Sequence, residues 1–165
     1  MQIQKMSSAD IAAVSKLFLL QAVHVKNLSD AYCDNLSIFN ESELLNDFKN
    51  QLSELLNNPD TITLISIENN QTVGFLIGTI IPCRVPGFIS KIEKVGYIDE
   101  AYVLPEYRRK GILKAMEESA LCFFREQHIK YVELNYFVAN DLAKKSWEAL
   151  DYKIYMEYAR KPISL

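Results

Sequence analysis

A cluster of cationic residues followed by a glycine occupies the middle of the chain, where residues 108–111 read Arg-Arg-Lys-Gly. A strand pattern ends shortly before this loop at Val103, and a helical apolar pattern begins at Ile112. The first turn of a helix has backbone N–H groups without intrahelical partners, and the helix dipole adds partial positive charge there. Glycine lets a ligand approach the backbone closely. The arrangement therefore predicts a binding site for a phosphate group.

Two adjacent carboxylates, Asp99 and Glu100, lie in the strand that leads to this loop. Burial of a carboxylate costs several kcal/mol unless the group is paired. The two acids therefore indicate either a salt bridge, a polar strand end, or a chemical role such as a general base. Because side chains alternate along a strand, we expect the two to point to opposite faces. Asp99 then shares a face with Tyr97 and Ala101 unless a bulge intervenes.

The elements that position these groups follow from hydrophobic spacing and turn residues. Strands are predicted at 2–6, 61–67, 72–81, 91–103, 131–138 and 153–159. Helices are predicted after a capping box at 7–10, after a cap at Ser42, from Ile112 and from Asn140. The order β-α-α-β-β-β-α-β-α-β predicts an α/β (α+β) fold. We expect a single domain, 1–165, with a mixed central sheet of about six strands and helices on both faces.

Composition restricts the class of protein. The chain has 165 residues and a formal net charge of −3, which argues against non-specific nucleic-acid binding. Cys33, Cys83 and Cys122 show no metal-ligand spacing, so we expect no metal and no disulfide framework, but three reduced core thiols in a cytoplasmic protein. No signal-peptide pattern is visible, and the longest apolar runs, which are broken by Gln21 and Gly74, are too short to span a membrane.

Residues 97–114 resemble motif A of the GNAT (Gcn5-related N-acetyltransferase) family. The pyrophosphate loop of that family reads Arg or Gln, two residues, Gly, one residue, then Gly or Ala, and residues 108–112 fit this pattern. Leu113 departs from it, because the family prefers a small residue there. The preceding segment 101–107, Ala-Tyr-Val-Leu-Pro-Glu-Tyr, is similar to the family's fourth strand and its exit.

A second segment resembles motif B of the same family, Asn-x-x-Ala-x-x-Phe-Tyr-x-x-x-Gly-Phe, with Asn140 and Ala143 at the first two named positions. The frequent Tyr of this motif, proposed to protonate the departing thiolate, falls on Trp147, and the Gly falls on Asp151. An indole N–H is not a useful proton donor to a thiolate. We therefore interpret Trp147 as a wall of the acyl or pantetheine channel or as core. Any acid must be water or another residue, and Tyr152 and Tyr136 are nearby in sequence.

The resemblance implies that acetyl-CoA is the acyl-donor substrate and that no metal takes part. Its pyrophosphate would lie on the amides of the loop and its pantetheine along the strand that ends at Val103, beside Asn140. Asn140 could instead be a plain helix N-cap. The implied CoA-binding residues are Ala101, Tyr102, Val103, Arg108, Arg109, Lys110, Gly111, Ile112, Leu113, Lys114, Asn140, Ala143 and Trp147.

The resemblance also implies a general base on the strand before the loop. Asp99 is our first choice and Glu100 the second, and a salt bridge or polar strand end remains the alternative for both. His24 could line an acceptor pocket under the irregular stretch 27–40, or it could be a solvent or core residue.

The function implied is N-acetyl transfer from acetyl-CoA by direct attack of a primary amine on the thioester. The acceptor is a small-molecule or peptide amine, and the acidic balance favours a cationic one. Two alternatives are an acyltransferase that uses a different acyl-CoA and a catalytically weak CoA-binding regulatory module. We expect no nucleic-acid or membrane partner. A homodimer could form if the predicted edge strand 153–159 pairs with a second subunit.

Overall fold

The computed structural model describes residues 1–29 and 40–161, so most of the irregular stretch 27–40 lies outside the described residues. The strands are β1 (Gln2–Lys5), β2 (Thr61–Glu68), β3 (Gln71–Pro82), β4 (Lys94–Val103) and β5 (Val132–Glu133). The helices are α1 (Ile11–Ser29), α2 (Glu41–Leu55), α3 (Ile112–Glu126) and α4 (Asp141–Glu148). In this part of the chain the strands form one mixed sheet in the order β1-β2-β3-β4-β5, antiparallel except for the β4–β5 pair.

Short polar residues determine where the first two helices begin. Asp10 Oδ2 accepts hydrogen bonds from the N–H (2.8 Å) and the Oγ (2.7 Å) of Ser7, so the predicted capping interaction forms before α1. The cap of α2 is Asn40 rather than the predicted Ser42. Its Oδ1 accepts from the N–H groups of Ser42 (3.1 Å) and Glu43 (3.3 Å).

Helices cover both faces of the sheet, as predicted. On one face, Phe18 of α1 stacks on Phe48 of α2 with ring centroids 3.6 Å apart, and Phe48 lies 6.4 Å from Phe75 of β3. On the other face α3 packs closely over β4. A Cβ atom at Gly96 would lie 2.9 Å from the ring of Phe124, so glycine is what lets this helix approach. The two faces of the sheet therefore pack against different helices, α1 and α2 on one side and α3 on the other. The face on which a β4 side chain lies decides which helix it meets.

The predicted strands at the C-terminal end are wrong in extent. Only Val132–Glu133 of the predicted 131–138 is a strand, and the segment 153–159 contains none, so the sheet has five strands rather than about six within the described residues. Alternating apolar residues do not provide a ladder partner. β4 is already flanked by β3 and β5, and β5 offers only two residues. Homodimer formation thus stays a prediction, but the edge strand on which it was based is not a strand in the described residues.

Two expectations from composition also change. Within the described residues, one helical stretch, Ser8–Leu28, is long and apolar enough to span a membrane by length and composition alone, so the expectation that every apolar run is too short is wrong. Core helices pass the same test, and Val14 and Leu17 of this stretch are buried in the core. Cys122 is exposed rather than a core thiol, and Cys83 is half-buried.

Candidate active site

β4 contains one more residue than its partner β3 in the middle of their ladder. Glu100 pairs with Ile77, but the next pair joins Ile98 to Gly78, so Asp99 has no counterpart on β3. This is a β-bulge, which bends the strand and re-aims side chains. The bulge falls on one of the two carboxylates that the sequence analysis singled out.

The bulge changes which side chains of β4 share a face. Tyr97 pairs with Thr79 and Glu100 pairs with Ile77, and these two β3 residues lie on one face because they are two positions apart. Tyr97 and Glu100 therefore lie on the same face although they are three residues apart. Asp99 interacts with the Thr79 hydroxyl and so is directed to that face as well. The expectation that the two carboxylates point to opposite faces is wrong, because it assumed an unbroken alternation.

Glu100 is a half-buried carboxyl held by the first helix. Gln21 of α1 donates a hydrogen bond from Nε2 to Glu100 Oε2. Burial raises the pKa of Glu100 to about 7, the hydrogen bond from Gln21 opposes the rise, and the nearby charge of Asp99 adds to it. A carboxyl with this pKa is about half ionised at neutral pH, which is the condition a general base requires.

Asp99 is more exposed than Glu100 and is better compensated. Burial of its carboxyl raises its pKa, while the Thr79 hydroxyl and then the charge of Arg84 oppose the rise. The side chain of Asp99 thus reaches the same region as Glu100 but with ion-stabilising neighbours. In pKa and burial, Glu100 matches a general base more closely than our first choice, Asp99.

The loop before α3 has the backbone conformation of an anion site. Gly111 is the N-cap of α3 with φ 79°, and Arg109 also takes a positive φ of 61°. No side chain among the described residues caps this helix. The first intrahelical bond runs from the N–H of Ala115 to the carbonyl oxygen of Gly111 (3.0 Å), which leaves the first-turn N–H groups unpaired. A Cβ at Gly111 would meet nothing within 4 Å, so the space beside this residue is open.

The cations of this loop do not act alike. Arg108 is half-buried and its Nε donates to the carbonyl oxygen of Val103 (2.9 Å), while its guanidinium lies 5.5 Å from the ring centroid of Tyr102. This side chain therefore fastens the loop to the end of β4. Arg109 and Lys110 are exposed and supply the positive charge at the loop surface. The sequence alone does not separate these two roles.

A gap opens beside β4 beyond the bulge. The parallel ladder with β5 consists of Gly96–Val132 and Tyr97–Glu133, and within the described residues it goes no further. The backbone of β4 from Ile98 to Val103 thus has no strand partner on this side, and such an edge can hydrogen-bond an extended amide. The predicted contacts at Ala101, Tyr102 and Val103 lie along this edge, between the bulge and the phosphate loop.

The predicted motif B residues carry structural contacts. Asn140 is the N-cap of α4, with its Oδ1 accepting from the N–H of Ala143 (3.1 Å), so only its amide NH₂ is left for a ligand. Trp147 is buried and meets the ring of Tyr152 edge-on at 5.3 Å. The Tyr152 hydroxyl donates to buried Glu117 (3.3 Å), and burial followed by the charge of Glu117 raises the Tyr152 pKa. Neither Trp147 nor Tyr152 is suited to donate a proton.

Several residues of this site were missed at the sequence level. Gln21 interrupts the apolar pattern of α1, a signal that could have marked it, and Arg84 and Thr79 gave none. Glu117 lies in the middle of the apolar face of α3 and is a comparable polar interruption. His24 is exposed on α1, and the structure gives it no contact with Glu100.

Comparisons with known proteins agree with this geometry. The sequence profile of the Acetyltransferase (GNAT) family matches residues 25–152. An uncharacterized N-acetyltransferase of Archaeoglobus fulgidus is 31% identical over 108 residues, which cover 65% of this chain and 70% of the relative.

Solved structures show the same fold. The apo aminoglycoside 6'-N-acetyltransferase of Acinetobacter haemolyticus superposes with a TM-score of 0.73 at 18% identity, covering 100% of this chain and 99% of that one. A predicted acetyltransferase of Clostridium acetobutylicum with acetyl-CoA superposes with a TM-score of 0.69 at 20% identity, covering 98% and 95% of the two chains. The family profile, which spans most of the sequence, shows that the chain belongs to the GNAT acetyltransferase family.

Proposed function

We propose that this protein transfers the acetyl group of acetyl-CoA to a primary amine, with Glu100 as the general base. The observation that carries the proposal is the bulge in β4. The bulge brings Glu100 to the face of the sheet that α1 covers, and burial there raises the pKa of Glu100 to about 7. The same strand continues along an unpaired edge to the open N-terminus of α3.

The donor would be held mainly by backbone. The unpaired first-turn amides at 112–114, the open space at Gly111 and the exposed cations Arg109 and Lys110 fit a pyrophosphate. The β4 edge at 101–103 and the NH₂ group of Asn140 fit the amides of pantetheine. This arrangement would place the thioester beside the bulge, where the base is.

The reaction needs one proton removed and one bond exchanged. Glu100 takes a proton from the ammonium group of the acceptor, directly or through one water, and the free amine attacks the thioester carbonyl carbon. The tetrahedral intermediate collapses with cleavage of the C–S bond, and the second N–H proton passes to solvent water as the amide forms. The sulfur leaves as a thiolate. Because a thiol has a pKa of about 8.5, this leaving group needs little acid assistance, which suits a site with Trp147 at the usual tyrosine position.

A screen for thiol release tests the proposal. The protein is incubated with acetyl-CoA and one member of each amine class: an amino acid, an aliphatic monoamine, a polyamine, an aminoglycoside and a peptide. We expect CoA release well above acetyl-CoA hydrolysis with at least one class, and acetylated product by mass spectrometry. Acetyl-CoA binding by calorimetry without transfer to any amine would favour the regulatory module, and the absence of binding at millimolar acetyl-CoA would overturn both readings.

A further inference from the structure

Arg84 is a cation fixed on the same face of the sheet as the candidate base. It follows β3, and its guanidinium carbon lies 4.5 Å from the ring centroid of Tyr97, a cation–π contact that holds it in place. Tyr97 shares the face of Glu100, as the ladder register shows. The Tyr97 side chain also shares a hydrogen bond with Arg84, as does Tyr158 from the segment after α4. Residues from two other parts of the chain thus position this guanidinium.

The charge of Arg84 is not consumed by an ion pair. Within the described residues, no carboxylate oxygen lies within 4.0 Å of a guanidinium nitrogen of Arg84. The side chain is exposed, and its charge acts on the Asp99 carboxylate only through space. Planar guanidinium groups carry several N–H donors and bind carboxylates through two parallel hydrogen bonds, and Arg84 keeps donors beyond those shared with the Tyr97 and Tyr158 side chains.

Arg84 and Glu100 mark two neighbouring positions along β4. Tyr97, whose ring lies under the Arg84 guanidinium, pairs with Thr79, and Glu100 pairs with Ile77. Thr79 and Ile77 are two positions apart on β3, so the backbone positions of Tyr97 and Glu100 are separated by about 7 Å along the sheet. A ligand that contacts both side chains is therefore small, on the scale of an amino acid.

We propose that the acceptor is a small zwitterionic amine of the amino-acid type, with its amine at Glu100 and its carboxylate on Arg84. This inference rests on the acetyl transfer proposed above. A polyamine or an aminoglycoside would bring a second ammonium group towards the guanidinium, where like charges repel. Arg84 would therefore select for the anion as well as against additional cations.

Matched acceptors and matched variants test this selection. Steady-state rates with acetyl-CoA are measured for a panel of amino acids, for the methyl esters of the same compounds and for the corresponding decarboxylated amines. The variants are Arg84→Gln, Arg84→Lys and, as the control, Arg125→Gln, which removes an exposed arginine from α3. We expect Arg84→Gln to raise the KM of the best amino acid by about tenfold to hundredfold with little change in kcat. Arg84→Lys should restore part of the loss, and the ester and amine should be unaffected by any of the variants.

Two results would overturn the inference while leaving acetyl transfer intact. One is equal kcat/KM for amino acids and their esters. The other is an unchanged KM in folded Arg84→Gln. A binding measurement covers the case in which no amine is acetylated: calorimetric titration of the CoA-saturated protein with the amino-acid panel. Binding that is lost in Arg84→Gln but kept in Arg125→Gln would support the site even though transfer had failed, and no binding to the wild type would refute it.

Discussion

The two ends of the candidate site on β4, the bulge at Asp99 and the exit at Val103, depend on different interactions. At its exit, the loop and the start of α3 offer backbone amides, a left-handed glycine and surface cations, all within residues 103–114. At the bulge, the working parts are side chains from distant segments, such as Gln21 and Glu100, whose protonation depends on burial. Changes at the exit should therefore alter donor binding, and changes at the bulge should alter turnover and its pH dependence.

The largest effect is expected at the bulge. Glu100→Gln preserves shape and can still accept the hydrogen bond from Gln21, but it cannot accept a proton. We expect kcat to fall by about 10² to 10⁴ while the Kd for acetyl-CoA stays within a factor of about two. Asp99→Asn is the matched control and should have a smaller effect, since Asp99 is more exposed and has other partners.

Both variants must first show a native melting transition. If folded Asp99→Asn loses more activity than folded Glu100→Gln, then Asp99 is the base, as first predicted from the sequence. If neither variant is impaired, the amine is deprotonated by water and the bulge serves only to shape the site.

A change at the other end of β4 should reverse this pattern. Gly111→Val places a branched side chain in front of the first-turn amides and forces it to a φ of 79°, which β-branched residues disfavour. We expect acetyl-CoA affinity to fall by about tenfold to hundredfold, equivalent to roughly 1.4–2.8 kcal/mol. The rate at saturating donor should be nearly unchanged. Isothermal calorimetry and initial rates give the two numbers.

Gly87→Val is the control for this variant. A Cβ at Gly87 also meets nothing within 4 Å, but this glycine lies in the loop after β3 and has no positive φ. It should bind acetyl-CoA as the wild type does. Normal binding by folded Gly111→Val would mean that the pyrophosphate lies elsewhere.

The difference between the two ends of the site also explains what the sequence could and could not predict. The backbone geometry of the loop before α3 was predictable because its strand, turn, glycine and helix are contiguous, and the structure has all four. Phosphate binding by this loop stays a prediction. The arrangement at the bulge was not, because the extra residue at Asp99 is defined only by pairing with β3, and nothing local marks it. Similarly, the apolar and aromatic residues of 153–159 predicted a strand, but strand formation depends on a partner that the described sheet does not offer.

The pH dependence should separate the two ends further. In the proposed reaction the ionised form of Glu100 is the base, so kcat/KM should rise with pH to a plateau, with a midpoint near the Glu100 pKa of about 7. Gln21→Leu removes the hydrogen bond that favours the ionised form, so its midpoint should move to higher pH. Rate profiles from pH 5 to 9 for wild type and variant check this. A midpoint that does not move, with Gln21→Leu folded, would show that another group controls the rate.

Stability should respond to the same carboxyl in the opposite sense. Its pKa is raised from the ordinary value of 4.5 to about 7 in the folded protein, so the folded state binds more protons between these values and loses stability as pH rises through them. Replacement of the carboxyl by an amide removes this loss. At pH 8, Glu100→Gln should therefore have a higher Tm than the wild type and an unfolding free energy larger by up to about 3 kcal/mol. Near pH 4 the two proteins should differ little. Thermal melts at the two pH values test the sign, and a greater benefit at pH 4 would contradict it.

The smallest effect concerns Arg108, which fastens the loop to the exit of β4. Arg108 holds the carbonyl oxygen of Val103 at 2.9 Å, so it positions the loop against β4, whereas Arg109 is exposed. We expect Arg108→Ala to lower the unfolding free energy by about 1 kcal/mol and to weaken acetyl-CoA a few-fold, because the loop loses one internal hydrogen bond. Arg109→Ala should weaken acetyl-CoA by a similar factor without changing Tm, since it removes only surface charge. Paired melts and titrations of the two variants distinguish these roles. If Arg108→Ala leaves Tm unchanged and loses clearly more affinity than Arg109→Ala, the Arg108 guanidinium leaves Val103 to contact the phosphates, and the division between binding and positioning in this loop would have to be reversed.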